Sequence, residues 1–594
     1  MAKTVAIGIQ DFERIIEQNC FYVDKTSFIK EWWESKDDVT LITRPRRFGK
    51  TLNMSLLECF FSVNYADRGD LFEGLSIWEE EGYRSIQGTY PVISLSFANV
   101  KEDNFEDVKL RVNQLISDLY SKVFFLMDSP NLEEHEKKYI KNIAEQDQHL
   151  SETVLTMSLH KLSGFLFKHY GKKVIILLDE YDTPMQEAYV YGYSHEGNEP
   201  SECSQSFGDC SRAHGWNNHE RKELVEFTRS LFNATFKTNP YLDRSVMTGI
   251  TRVSKDSLFS DLNNLAVVTT TSNEYATAFG FTEEEVFDAL DAYELGAKKE
   301  KVKWWYDGFV FGQERDIYNP WSIINFLKTA GRFDTYWANT SSNRLASKLI
   351  QEGSKRLKIS FETLLKGETI LCPIDEQIVY NQLGKGEGAI WSLLLASGYL
   401  KVVSMEKMED RVGGRRPKYE LALTNEEVRC MFEYLVRDWF EETDGDYNDF
   451  VEALLHGNVK EMNIYMNRVA LQTFSYFDTG KNPSYEAPER FYHGFVLGLI
   501  ADLGASHVIT SNRESGFGRY DVVIEPKNKE EDAMILEFKV HEAEEESSLE
   551  ETVQSALAQI EEKQYEADLL ARGFAKEQIR KYGFAFEGKK VLIG

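Results

Sequence analysis

Cysteine is scarce in this chain: Cys20, Cys59, Cys203, Cys210, Cys372 and Cys430 are scattered over 594 residues. Such usage argues against a disulfide scaffold and for reduced thiols. Long apolar runs are missing too. No stretch approaches the roughly 18 consecutive apolar residues of a membrane span, and the start Met-Ala-Lys-Thr-Val has no apolar signal core. The expectation is a cytoplasmic protein without membrane attachment. Positive charge is the third shortage. Against 97 Asp and Glu stand 68 Lys and Arg, a formal charge of -29, which excludes electrostatic nucleic-acid binding of the histone kind. Any contact with nucleic acid must be local. The acidic run at 542–551 reads as a solvated helix start.

What is present is the material of several cores, with 42% hydrophobic and 13% aromatic residues. One core cannot organise this length. The expected division is 1–285, 286–385, 386–440 and 441–594. In the first part strand and helix alternate: strand 39–43, helix 50–62, strand 90–97, a helix from about 105, strand 173–180, helix 220–237, and strands 246–251 and 265–270. That is the pattern of a parallel sheet. Residues 285–385 read as helical, with aromatic anchors such as Tyr318-Asn-Pro-Trp-Ser322. A helix, a glycine stop and a strand at 390–403, then the basic tip 411–418 and strand 419–423, suggest a winged helix whose arginines would touch a phosphate backbone.

Two segments carry chemistry. Val174-Ile-Ile-Leu-Leu-Asp179-Glu180 is an apolar strand ending in two carboxylates. A strand of this kind is buried on both faces, and acids at its C-terminal end reach the crevice where α/β sheets bind ligands. Arg44-Pro-Arg-Arg-Phe-Gly-Lys50-Thr51 follows a strand and opens an amphipathic helix, so its backbone N–H groups would face phosphate. In this reading Arg47, Phe48, Gly49, Lys50, Thr51 and Asp179 bind ATP. Lys50 meets the β/γ-phosphates, Thr51 and Asp179 hold magnesium, and Glu180 polarises the attacking water. Arg44 stands where the usual loop has glycine. Thr248, Thr251 and Arg252 end another strand and are candidates to sense the γ-phosphate. The polar insertion 189–218 carries Cys203, Cys210, His214 and His219 but no Cys-x-x-Cys pair, so no zinc site is assigned.

The second segment is near the C-terminus. Strands around Asp521 and Glu537 flank a polar turn, and a hairpin centred near Lys529 sets 521 opposite 537. Alternation then puts Glu537 and Lys539 on one face. Two carboxylates in an apolar strand call for compensating charge, so Asp521 and Glu537 would bind a divalent metal and Lys539 would orient water or stabilise a phosphorane. Upstream, Glu489 and His493 lie four apart on a helix and would add a ligand. Downstream, a helix over 551–566 turns Val553, Ala556, Leu557 and Ile560 to its apolar face, with Gln559 and Lys563 on its flank and Tyr565 on the other side.

Through Tyr22-Val-Asp-Lys25, the arginine-rich loop 44–51, Leu178-Asp-Glu-Tyr-Asp182 and Tyr318-Asn-Pro-Trp-Ser322, the N-terminal half resembles the bacterial AAA-ATPase-like proteins. Their variant phosphate loop has this same form. The C-terminal domain resembles the PD-(D/E)XK nuclease superfamily, with Asp521, Glu537 and Lys539 at the motif positions and Tyr520 where proline often stands. The resemblance implies an α/β multidomain chain: a P-loop NTPase sheet with a helical extension, a winged-helix-like middle domain and a nuclease-like α/β domain. It implies nucleotide binding by Gly49, Lys50 and Thr51. The expected activity is ATP hydrolysis controlling a magnesium-dependent nuclease. The alternative is an ATP-switched sensor whose nuclease-like domain only grips a partner. Expected cofactors are ATP and Mg2+. Expected partners are nucleotide and nucleic acid, DNA ahead of RNA, and a homo-oligomer is compatible with the reading.

Overall fold

The computed structural model describes residues 3–145, 150–193, 216–252, 258–259, 262–337, 354–375, 387–405, 418–441, 448–473, 506–511, 518–541, 546–587 and 590–594, with a few short stretches between. Two compact units emerge, one of Met1–Leu345 with Leu371–Val428, the other of Ala346–Ile370 with Arg429–Gly594. No helix among the described residues is long and apolar enough to cross a membrane.

In the first unit, β1 (Val39–Thr43), α1 (Lys50–Phe61), β2 (Val92–Ser96), α2 (Phe105–Lys122), α3 (Glu152–Tyr170), β3 (Val174–Asp179), α4 (Asn218–Phe236), β4 (Leu242–Gly249) and β5 (Leu265–Val268) follow in order. The strands form one five-stranded sheet in the order β2-β3-β4-β1-β5. Every neighbouring pair in it is parallel. Parallel neighbours need crossovers, and α1, α2 with α3, and α4 lie in the connections that lead from β1 to β4. β1 and β3 are buried along their whole length, as strands covered on both faces must be. The register pairs Val39 with Ser245 and Thr43 with Gly249, while Leu178 pairs with Met247. β4 therefore runs between the strand that enters the glycine-lysine turn and the strand that ends in acids.

The rest of this unit is less helical than its aromatic content suggests. β6 (Phe281–Thr282), β7 (Phe309–Phe311) and β8 (Glu314–Tyr318) make an antiparallel sheet in the order β6-β8-β7, and α5 (Pro320–Lys328) follows. Phe309 pairs with Ile317 and Phe311 with Glu314, so the Gly312-Gln313 turn closes a hairpin inside the 285–385 stretch expected to be helical. Beyond it, β9 (Ile370–Pro373), α6 (Glu387–Ala396), β10 (Leu400–Met405) and β11 (Lys418–Leu423) give a helix followed by an antiparallel ribbon. Gly398, at φ 85°, is the glycine stop between α6 and β10, and a Cβ there would come within 2.8 Å of the Pro45 ring. The basic tip 411–417 lies outside the described residues.

The second unit is a mixed sheet of β12 (His507–Ser511), β13 (Val522–Pro526), β14 (Ala533–Val540), β15 (Ile579–Glu587) and β16 (Lys590–Ile593), in that order. Only β14 and β15 are parallel, and α10 (Leu549–Glu562) makes their crossover. We number Glu426–Glu441, Asn448–Leu455 and Val459–Thr473 as α7, α8 and α9. One face of the sheet, with Val522, Leu536, Phe538 and Phe584, packs with Phe450, Leu454 and Met466 of α8 and α9. The other face, with Val523 and Ile535, packs with Ile560, Tyr565 and Leu569. Alternation along β14 follows, because neighbouring residues point to opposite sides.

Candidate functional site

The first constellation lies at the C-terminal ends of β1, β3 and β4. Gly49 takes a left-handed φ of 78° and precedes α1 without a side-chain cap, so the first N–H groups of the helix are left for a ligand. Lys50 is buried, and its ammonium donates to the carbonyls of Arg44 at 3.0 Å and Pro45 at 2.8 Å. Burial pulls its pKa down, opposed by the charges of Glu180, Asp179 and Asp182. The Thr51 hydroxyl donates to Asp179 Oδ2 at 2.7 Å, and the Thr248 hydroxyl donates to Asp179 Oδ1. Burial raises the pKa of Asp179, and the two hydroxyls work against that rise. Glu180 turns the chain at φ 51°, half-buried beside this group.

Thr51 and Asp179 are thus in direct contact, and Lys50 lies within reach of the Asp179 charge. Other members of the loop behave differently. The Phe48 ring is buried against Phe309 and Phe311, at centroid distances of 4.7 and 5.4 Å, so only its backbone is left to meet a ligand. The exposed Arg47, at φ 65°, lays its guanidinium 4.4 Å from the Trp321 ring centroid. Arg44 is fully buried, donating to the carbonyls of Thr43, Thr269 and Glu274 and lying over Phe311. An arginine replaces glycine here because its side chain leaves the loop for the core and satisfies carbonyls at the end of β5.

Asp182 closes the Leu178-Asp-Glu-Tyr-Asp182 motif, but the sequence assigns it no role. Fully buried, its Oδ2 accepts from Thr251 N and Oγ1, both at 2.8 Å, and from Gln186 Nε2 at 2.6 Å. Gln186 in turn accepts from Arg46 at 3.1 Å. Burial raises the pKa of Asp182, opposed by these donors. Of the three candidates for sensing phosphate, Thr248 and Thr251 are thus engaged by acids, and Arg252 lines a cleft with Thr43 and Thr269.

The second constellation lies on β14. The pairing of Val522 with Leu536 puts Asp521 beside Glu537, and Asp521 Oδ2 accepts the Phe538 N–H at 2.9 Å. Glu537 is 3% exposed and half-buried Lys539 follows on the same face. The Gln559 amide donates to Glu537 Oε1 and to the Tyr565 hydroxyl, the latter at 3.2 Å. Burial raises the pKa of Tyr565, and the charges of Glu537 and Asp521 add to that. The helix ends at Glu562, so Tyr565 curls back to the Gln559 side rather than taking the opposite face expected of a helix continuing to 566. Of its polar flank, Gln559 meets Glu537 directly while Lys563 is exposed. Glu489 and His493 lie outside the described residues, as do Cys203, Cys210 and His214, while His219 is exposed.

Both donor sets have the chemistry of a hard divalent ion: a hydroxyl and a carboxylate at the first, two carboxylates at the second. Among the described residues no three His, Cys, Asp or Glu side chains gather as a metal cluster.

An uncharacterized protein in the vnfD 5' region of Azotobacter chroococcum mcd 1 is similar, being 24% identical over 430 residues that cover 72% of this chain and 69% of that protein. Residues 6–207 match the family described as Predicted AAA-ATPase, and residues 487–594 match the PD-(D/E)XK nuclease superfamily. The chain therefore joins an AAA-ATPase-like segment to a C-terminal segment of the PD-(D/E)XK nuclease superfamily, the two groups its motifs resemble.

Proposed function

We propose that this protein hydrolyses ATP in its first unit and, under that control, cleaves nucleic acid in its second, in a cytoplasmic setting and with DNA as the preferred substrate. The reading is supported by one recurring observation. Each unit holds a pair of oxygen donors with a lysine next to them in sequence: Thr51 and Asp179 with Lys50, Asp521 and Glu537 with Lys539.

In the first unit the N–H groups of 47–50 bind the phosphates, and Lys50 gives up its loop carbonyls for β/γ oxygens. Glu180 orients and polarises the attacking water, and Arg252 is the remaining candidate to meet the γ-phosphate. Magnesium would be held by Thr51 and Asp179 at one site and by Asp521 and Glu537 at the other, where it supplies charge neutralisation and a more acidic water. In the second unit Lys539 orients the nucleophile and stabilises charge on the phosphorus oxygens. Gln559 and Tyr565 hold the Glu537 carboxylate in place.

The test is incubation of the full chain with single- and double-stranded DNA and RNA, with and without ATP and magnesium. Fragments that require magnesium and change with ATP are expected. The strongly acidic surface, with a formal charge of -29, favours the second reading, an ATP-switched binding protein. Intact nucleic acid in every arm, with ATP still hydrolysed, would select it.

A further inference from the structure

The carbonyl of Arg46, within the phosphate loop, accepts from two side chains distant in sequence: Asn319 Nδ2 at 3.3 Å and Trp337 Nε1 at 3.1 Å. Neither donor stands alone. Asn319 caps α5, its Oδ1 accepting the N–H of Trp321 at 2.8 Å and of Ser322 at 3.4 Å. The Trp337 backbone N–H donates to Glu427 Oε1 at 2.6 Å, and the Ser322 hydroxyl donates to Glu427 Oε2 at 2.8 Å. Glu427 is fully buried. A carboxylate in such a place is expensive unless its oxygens meet donors, and the two donors just named belong to the elements that hold the loop.

The carbonyl of Arg46 and the N–H of Arg47 share one planar trans peptide, so anchoring the oxygen aims the N–H the opposite way. The neighbouring guanidinium is seated on Trp321 in the same α5. We infer that Glu427 is a positioning residue for the nucleotide loop. It fixes Trp337 and the start of α5, and through them the peptide that presents the Arg47 N–H. This rests on the reading of the loop as an ATP site and names a residue about 380 positions away that no loop motif includes.

ATP binding by the full chain should be measured for the wild type, Glu427→Ala, Glu427→Gln, Trp337→Phe and the Glu427→Ala/Trp337→Phe pair, with Lys50→Ala as the site control. Loss of one hydrogen bond in the relay should weaken binding about five- to ten-fold in Glu427→Ala and in Trp337→Phe. The double variant should be little weaker than the worse single one, because both changes cut the same relay. Glu427→Gln, which still accepts from Trp337, should stay within about two-fold of wild type. Trp337→Phe keeps a ring against Phe309 and Tyr399 and decides the matter even if Glu427→Ala fails to fold. Wild-type affinity in Trp337→Phe, or fully additive losses in the pair, would overturn the inference. A wild-type chain that binds no ATP would remove the ATP reading itself, and the inference with it.

Discussion

The Thr51 hydroxyl donates to Asp179 Oδ2 at 2.7 Å, a contact between residues 128 positions apart. It closes the gap that β4 leaves between β1 and β3, and Thr248 on β4 donates to the other oxygen of the same carboxylate. Three strands thus converge on one acid.

Lys50 is therefore expected to be indispensable to nucleotide turnover. In Lys50→Ala, ATP hydrolysis followed by phosphate release should fall by about 100-fold or more, since the lost charge faces the transferring phosphoryl group. Asp179→Asn should cut hydrolysis comparably and weaken its dependence on magnesium. An unchanged rate in Lys50→Ala would assign the hydrolysis to another site.

Removing charge at β14 should affect cleavage and leave ATP hydrolysis intact. Glu537→Gln and Lys539→Ala should each reduce fragment formation by about 100-fold or more. Gln559→Ala, which only frees the Glu537 carboxylate to move, should cost about 10- to 100-fold. Equal cleavage by Gln559→Ala and wild type would show that the amide has no part in holding the acid.

Gly583 pairs with Glu537 across β14 and β15, and a Cβ there would lie 2.8 Å from the Val553 carbonyl and 3.1 Å from the Ala556 methyl. The bare backbone lets α10 lie close enough for Gln559 to reach Glu537. Gly583→Ala should destabilise the second unit by about 1–3 kcal/mol through overpacking, read as a lower urea midpoint, and reduce cleavage as well.

Stability should also carry a pH signature from the first unit. Burial, with a hydrogen bond to Asp316 and its charge, pushes the Asp307 carboxyl up from 3.8 to about 7. Between those values the folded form keeps a proton that the unfolded chain has lost, so this group's contribution to stability falls as pH rises from about 4 to about 7. Asp307→Asn should flatten that dependence in urea midpoints taken at pH 5 and pH 8. A variant that tracks the wild type at both would remove Asp307 as the source.

Much of this was readable in the chain itself. Val174–Leu178 reads as a buried strand because its five branched apolar residues are too few for a helix and are bounded by Gly171 and the acids 179–180. The opposition of residues 521 and 537 followed from counting outward from a polar turn, since strand alternation has a fixed period. Helix boundaries were close for α1 and α4. The hairpin at 309–318 was not legible, because a short aromatic run carries no period of its own and its partner β6 lies elsewhere in the sequence.

The sequence by itself determined which residues are chemically equipped: the glycine-lysine-threonine turn, the acids that end β3, and the Asp, Glu and Lys of the second sheet. Local rules of period, propensity and turn chemistry suffice for these. Only tertiary structure decided which way each side chain went. Arg44 and Phe48 sit beside Lys50 in the same loop, yet both turn into the core, where distant carbonyls and rings await them. Asp182, Gln559 and Glu427 likewise owe their roles to partners brought near by packing, and burial is a property of the folded neighbourhood that no sequence window contains.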